Sequence, residues 1–278
     1  MDLRNEIEAA AREAGKIILN ASDIMKTISE KDSEKNLVTE YDKQVQEFLE
    51  TRLLEVLPEA RFLGEENHED LFREEYGSGW LFVIDPIDGT SNFIFGYRPS
   101  VTSIGLFKDG KPYAGVVYNP YSDIMISAVK GSGAFQNGVP VRSASLPLSR
   151  SLVSIGTAPY YEEQEIRKAF DLGFSYMLRC VDVRRSGSAA WDICQVACGV
   201  TGLFLEPVLQ IWDYAAAAVI LEEAGGRITD FSGNPLSYRG PSEIIAASAG
   251  VAAEDYLPPL PLTDSDQERA AVAQILEE

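Results

Sequence analysis

Residues 80–93 read WLFVIDPIDGTSNF, and few segments leave a chain so little conformational choice. An apolar run ends on Asp85, and Pro86 withholds the backbone donor that a further ladder bond would need. Asp88-Gly89 then permits a sharp turn. The expected structure is a buried strand ending at Asp85, a turn, and a short helix opening near Thr90. Asp85 and Asp88 would stand close together at the carboxyl end of that strand. Two carboxylates so placed repel one another unless a proton or a cation joins them. Hard divalent ions take oxygen ligands, commonly one or two carboxylates together with water and phosphate. An Asx turn accounts for the same spacing without any ion.

Charge and composition narrow the remaining chemistry. The chain has 278 residues, 43 acidic against 24 basic, for a net charge of −19. Such a balance argues against binding nucleic acid through a basic face, because phosphate backbones are neutralised by Lys and Arg. No apolar run is long enough for a membrane span, and the first residues lack the apolar core of a signal peptide. The expectation is a cytoplasmic protein with no membrane contact. Cys180, Cys194 and Cys198 are an odd number, so a disulfide framework is not expected. His68, the single histidine, lies in the acidic stretch EENHEDLFREE and reads as a solvated loop residue. Neither G-x-x-x-x-G-K-[ST] nor a strand-led G-x-G-x-x-G occurs. An enzyme built from these residues must rely on carboxylates, hydroxyls, backbone dipoles and metal.

Periodicity predicts a helix over residues 2–28, then a polar break, SEKDSEKN. A second helix starts at Thr39, where T-E-Y-D fits a capping box, and Pro58 closes it. Strand patterns follow at 80–85, 101–107, 113–119, 123–129 and 134–141, with Asp109-Gly110 as a hairpin turn. Further short strands at 151–156, 178–183, 201–207, 226–230 and 243–248 alternate with helices near 162–173, 187–199 and 212–225. The pattern is that of a layered α+β body over residues 1–250, its halves meeting near residue 145. Residues 251–278 read as a Pro-containing tail; seven acidic residues and one basic lie from Glu254 onward.

Three other acidic positions have ordinary explanations when taken singly. Glu65 in FLGEEN reads as surface charge, Asp42 in NLVTEYD as a helix cap, and Asp213 in QIWDYAAAAVILEEAGG as a helix start. Taken in order with DPIDGTSNF, however, the stretches LVTEYD, GEE and WDYAAAAVILEEAGG resemble the inositol monophosphatase family of metal-dependent, lithium-sensitive sugar phosphatases. The resemblance runs from the first helix to about residue 250. Ala217 stands where the family usually has glycine, a change expected to alter packing only.

The resemblance implies the layered αβαβα sandwich shared with fructose-1,6-bisphosphatases, and assembly as a homodimer. It implies Glu65, Asp85, Asp88, Asp213 and the Ile87 carbonyl as ligands of two or three Mg²⁺ ions. Thr90 and Asp42, helped by Glu65, would orient and deprotonate the attacking water. Gly89 and Thr90 would hold the phosphate through backbone N–H groups, with Lys31 nearby. Gly187, Ser188, Ala189 and Glu206 would meet the alcohol, and Arg184 or Arg185 a second phosphate. The activity implied is hydrolysis of myo-inositol 1-phosphate or a related polyol phosphate. Fructose 1,6-bisphosphate, histidinol phosphate and adenosine 3′,5′-bisphosphate are alternative substrates. A role as a partner of the transcription and ribosome-assembly machinery is an alternative of another kind.

Overall fold

The computed structural model describes residues 2–31, 37–67 and 77–256; His68, much of SEKDSEKN and the chain from Leu257 lie outside them. Helix α1 (Leu3–Leu19) buries Ile7, Ala10, Ala11, Ala14 and Ile18 along one stripe. It stops well short of residue 28, because Asn20 caps it and Asp23 adopts a left-handed conformation, φ 53°. Strand β1 (Ile28–Glu30) then pairs antiparallel with β2 (Leu37–Thr39), which the polar composition concealed. Helix α2 (Glu40–Val56) starts as expected, with Thr39 and Asp42 forming a capping box.

A seven-stranded sheet follows, its strands in chain order. It comprises β3 (Arg61–Gly64) and β4 (Trp80–Asp88), then, beyond helix α3 (Thr90–Phe95), β5 (Val101–Lys108), β6 (Lys111–Asn119) and β7 (Ile124–Val129). The last two strands are β8 (Ala134–Gln136) and β9 (Val139–Val141). Strand β3 is parallel to β4, and the remaining pairs are antiparallel. Asp109 and Gly110, at φ 51° and 71°, make the tight turn between β5 and β6. The run 134–141 is two strands, not one, because Asn137 and Gly138 take positive φ and fold it into a hairpin. Pro86 does not end β4. The register against β5 shifts between Asp85 and Asp88, so the missing donor falls in an irregularity and pairing resumes at Asp88.

The second half contributes β10 (Leu152–Ile155), α4 (Glu163–Met177), β11 (Asp182–Arg184), α5 (Ala189–Ala197), β12 (Leu203–Leu209), α6 (Ile211–Glu223), β13 (Arg227–Thr229), β14 (Ser242–Ala247) and α7 (Ala253–Tyr256). Its five strands run in the order β11-β10-β12-β14-β13. The strand expected at 178–183 shrinks to Asp182–Arg184, since α4 extends to Met177.

Helices α1 and α2 cover the outer face of the large sheet, with Ile7, Leu49, Phe82 and Ile104 in one core. Helices α5 and α6 lie between the two sheets, where Val83, Cys194, Ala216 and Phe204 share a second. Helix α4 closes the far side of the small sheet on Val153, Leu205 and Ile245. The order is αβαβα. Alternation along β12 serves both neighbours, Phe204 facing α6 while Leu203 and Leu205 face α4. Helix α6 is apolar all round, as a helix covered on both sides must be. Val251 and Tyr256 are buried, and Tyr176 Oη donates to the Tyr256 carbonyl at 3.1 Å. The boundary expected at residue 250 therefore falls inside the packed body.

Candidate active site

One cleft, open to solvent, lies where the large sheet meets the second half of the chain. Glu65, Asp85, Ile87, Asp88, Gly89 and Thr90 line one side. Gly187, Ser188, Ala189, Glu206 and Asp213 line the other. Stretches separated by more than a hundred residues thus contribute to a single concave surface.

Local structure explains each placement. Asp85 sits at the irregularity in β4, buried, and its Oδ1 accepts from the Ile87 N–H at 3.0 Å. Asp88 reaches across to the start of α5, accepting from Ser188 Oγ (2.7 Å), Ala189 N (3.2 Å) and Ala190 N (2.8 Å). An anion there complements the helix N-terminus and ties the two halves together. Asp213 is the third residue of α6, and its Oδ2 accepts from Gln210 N at 2.7 Å. Thr90 opens α3, its hydroxyl within reach of Asp42 Oδ1 (3.2 Å) and the Ile87 carbonyl (3.1 Å). Asp42 is buried and also accepts from Thr39 N and Oγ1 at 2.7 and 2.6 Å. Gly89, at φ 89°, lies so close to Gly187 O and Ser188 Cβ that an added Cβ would stand 3.1 and 3.3 Å from them.

Four expected substrate contacts need correction or refinement. Arg184 is exposed and pairs with Asp182 at 2.5 Å; Arg185 lines the cleft instead and donates to the Thr157 carbonyl at 2.5 Å. Arg184 ends β11, so the next side chain points the other way. Ser188 Oγ and Ala189 N are both committed to Asp88, which leaves Gly187 as the open element of that loop. Lys31 donates to Glu65 Oε1 (2.6 Å) and Glu66 Oε1 (2.7 Å), so it neutralises the rim of the acidic group. Burial opposes its charge, but those two carboxylates outweigh burial and push its pKa up.

Sequence reasoning missed Tyr160 and Tyr161, which follow β10 and line the cleft, and Asn92, whose Nδ2 donates to Pro99 O (2.7 Å) and Ser186 O (2.9 Å). Asp192 was also missed. It is buried and accepts from Ser186 Oγ at 2.8 Å, fixing the loop that carries Gly187. Only a polar residue on the buried side of α5 hinted at its role.

The electrostatics are those of crowded carboxyls. Burial first, then Glu65, Asp88 and Asp213, raise Asp85 well above the usual carboxylate range. Burial, Glu65 and Asp88 do the same to Asp213. Burial raises Asp88 and Asp42 to about 7 each, and Glu206 to about 8. Among the described residues, no three Asp, Glu, His or Cys side chains are arranged to hold a metal ion as they stand. The donor set itself is all oxygen, and its negative charge calls for protons or a hard cation. The residues fit such an ion chemically.

A pH dependence follows from these shifts. Folded carboxyls at about 7–8 hold protons that an unfolded chain releases near 4. The folded state therefore binds more protons across that interval, and its stability falls as pH rises from about 4 to about 8. In chelator, Tm should decline from pH 5 to pH 8. At pH 8, Mg²⁺ at about a hundred times its dissociation constant should restore about 2.7 kcal/mol, or about 5–10 °C for a protein of this size. A Tm that rises with pH in chelator would contradict the shifts.

Oxygen donors of this kind, with a hydroxyl and a buried carboxyl beside them, are the equipment of metal-dependent phosphatases. The comparisons with known proteins agree. The model of the inositol monophosphatase family matches residues 2–261. Inositol monophosphatase 3 of Solanum lycopersicum is 35% identical over 229 residues, covering 81% of this chain and 84% of that protein. The fructose-1,6-bisphosphatase/inositol-1-monophosphatase of Aquifex aeolicus is 33% identical, over 87% and 90% of the two chains. The structure is similar to that of Staphylococcus aureus inositol monophosphatase II with bound inositol monophosphate, with a TM-score of 0.76, 30% identity, and coverage of 100% and 98%. The chain belongs to the inositol monophosphatase family, whose members are metal-dependent phosphatases.

Proposed function

We propose that this protein is a Mg²⁺-dependent phosphomonoesterase that hydrolyses myo-inositol 1-phosphate or a related polyol phosphate. The observation that carries the reading is the meeting of Glu65, Asp85, Asp88 and Asp213 in one cleft with the Thr90–Asp42 pair. Those four side chains and the Ile87 carbonyl would hold two or three Mg²⁺ ions. The ions would neutralise the ester's charge and make water a better nucleophile. The protein's own groups do the rest. Thr90 Oγ1, placed between two acceptors, orients the water and passes its proton toward Asp42 Oδ1. Glu65 assists from the same side of the cleft. A folded pKa of about 7 suits Asp42 to take up a proton near neutrality. The N–H groups of Gly89 and Thr90 would hold the phosphate, and Gly187 and Glu206, which line the same cleft, would meet the alcohol.

A bisphosphate such as fructose 1,6-bisphosphate is a second reading, supported by Arg185 in the cleft and by the double activity in the name of the Aquifex aeolicus relative. The proposal takes the protein as a cytoplasmic homodimer. Free Cys180, Cys194 and Cys198 accord with a reducing compartment. Exposed Phe170, Phe174, Met177 and Leu178 on and beside α4 offer apolar surface to a second copy.

The test is phosphate release from myo-inositol 1-phosphate, fructose 1,6-bisphosphate, histidinol phosphate and adenosine 3′,5′-bisphosphate, with Mg²⁺ or chelator. The expected result is release that needs Mg²⁺, is fastest for the inositol ester and is inhibited by millimolar Li⁺. Equal release in chelator would contradict the proposal.

A further inference from the structure

We propose that Tyr160 and Tyr161 select ring-shaped alcohols as the leaving group: Tyr161 fixes Glu206 as a hydroxyl acceptor, and Tyr160 supports the face of the ring. The inference rests on the phosphatase reading above and extends it to residues that reading does not use.

Glu206 is held on two sides. Its carboxylate lies directly against Gly156, where an added Cβ would fall on Oε2. Gly156 is in turn fixed at the end of β10 by donating its N–H to the Leu205 carbonyl at 2.8 Å. From the other side, Tyr161 Oη meets Glu206 Oε1 at 3.0 Å and also contacts the Val208 carbonyl. That carbonyl is available because the β12–β14 register shifts between Glu206 and Leu209, at Pro207. Oε1 is therefore occupied, while among the described residues no donor engages Oε2 and Glu206 lines the cleft. A buried carboxyl oxygen left in this way pairs well with a ring hydroxyl, since its alternatives are few.

Tyr160 completes the arrangement. Its ring stands edge-to-face on Tyr161, centroids 5.4 Å apart at 87°, and remains about half exposed in the cleft. The ring shares the cleft wall with Glu65 and Asp213 of the acidic group and with Glu206. An alcohol tethered by phosphate at one end and by Glu206 at the other must hold a fixed separation across this shelf. A ring alcohol does so already, whereas an acyclic one loses rotational freedom on binding. The C–H face of the ring would cover Tyr160 and exclude water.

The test compares kcat and KM for myo-inositol 1-phosphate and glycerol 2-phosphate in the wild type, Tyr161→Phe and Tyr160→Ala. The wild type should prefer the inositol ester at least tenfold in kcat/KM. Tyr161→Phe, which keeps the ring and removes the hydroxyl, should raise KM for the inositol ester about tenfold while kcat changes less than twofold. Tyr160→Ala should lower the preference ratio about tenfold. Glycerol 2-phosphate turnover and Tm report whether each variant is folded. A matching fall in kcat for both esters, or an unchanged ratio in both variants, would overturn the inference while leaving the phosphatase reading intact. Release from neither ester by the Mg²⁺-loaded wild type would overturn both.

Discussion

Asp85→Asn should lower kcat/KM for the inositol ester by about 10³ or more while leaving the fold in place. Asp85 is buried at the irregularity of β4 and lies among Glu65, Asp88 and Asp213. Asparagine keeps the size and an oxygen that can accept from Ile87 N–H, so local geometry has little reason to change. The formal charge that helps to draw a cation into the cleft is removed. Losing about 4 kcal/mol of transition-state stabilisation corresponds to about three decades in rate. The variant should also lose most of the Mg²⁺-dependent rise in Tm at pH 8. Wild-type turnover in the variant would mean that Asp85 does not serve the metal.

Gly115→Ala should produce the largest loss of stability of any single methyl group added to the sheet. A Cβ at Gly115 would fall on the Ala216 carbonyl and close to its Cα, in the backbone of α6. The neighbouring strand repeats the device, Gly105 leaving 3.2 Å between an added Cβ and Ala215 Cβ. Helix α6 lies flat on β5 and β6 only because both partners are small, and Asp213 stands in its first turn. Overpacking of this kind costs up to about 3 kcal/mol or more where rigid backbone must move, which predicts a Tm lower by about 6–12 °C. Because any relief displaces α6, activity should fall as well, even at temperatures where the variant is folded. Thermal denaturation and initial rates at 20 °C check both parts; an unchanged Tm would show that α6 yields easily.

What was legible in the sequence was local chemistry. Thr39 and Asp42 announced the start of α2, and Asp109-Gly110 the β5–β6 turn, because each satisfies backbone groups within four residues. The acidic motifs were legible as a set, and the structure brings Glu65, Asp85, Asp88 and Asp213 to one cleft. What escaped depends on distant partners. Pro86 looked like the end of a strand, yet a register shift against β5 carries the strand to Asp88. Strands β1 and β2 are three residues each, too short to show alternation, and exist because they pair with one another. Arg184 and Arg185 are indistinguishable by type, and only the direction of β11 turns one to Asp182 and the other to the cleft. Tyr161 meets Glu206 across 45 positions of sequence, through a contact that no periodicity encodes.

The account turns on whether the acidic cleft binds a hard divalent cation. Anomalous scattering from crystals soaked in Mn²⁺, as a stand-in for Mg²⁺, addresses this directly. The account predicts strong peaks among Glu65, Asp85, Asp88 and Asp213, lost from crystals of Asp85→Asn; a cleft without anomalous density at millimolar Mn²⁺ would contradict it.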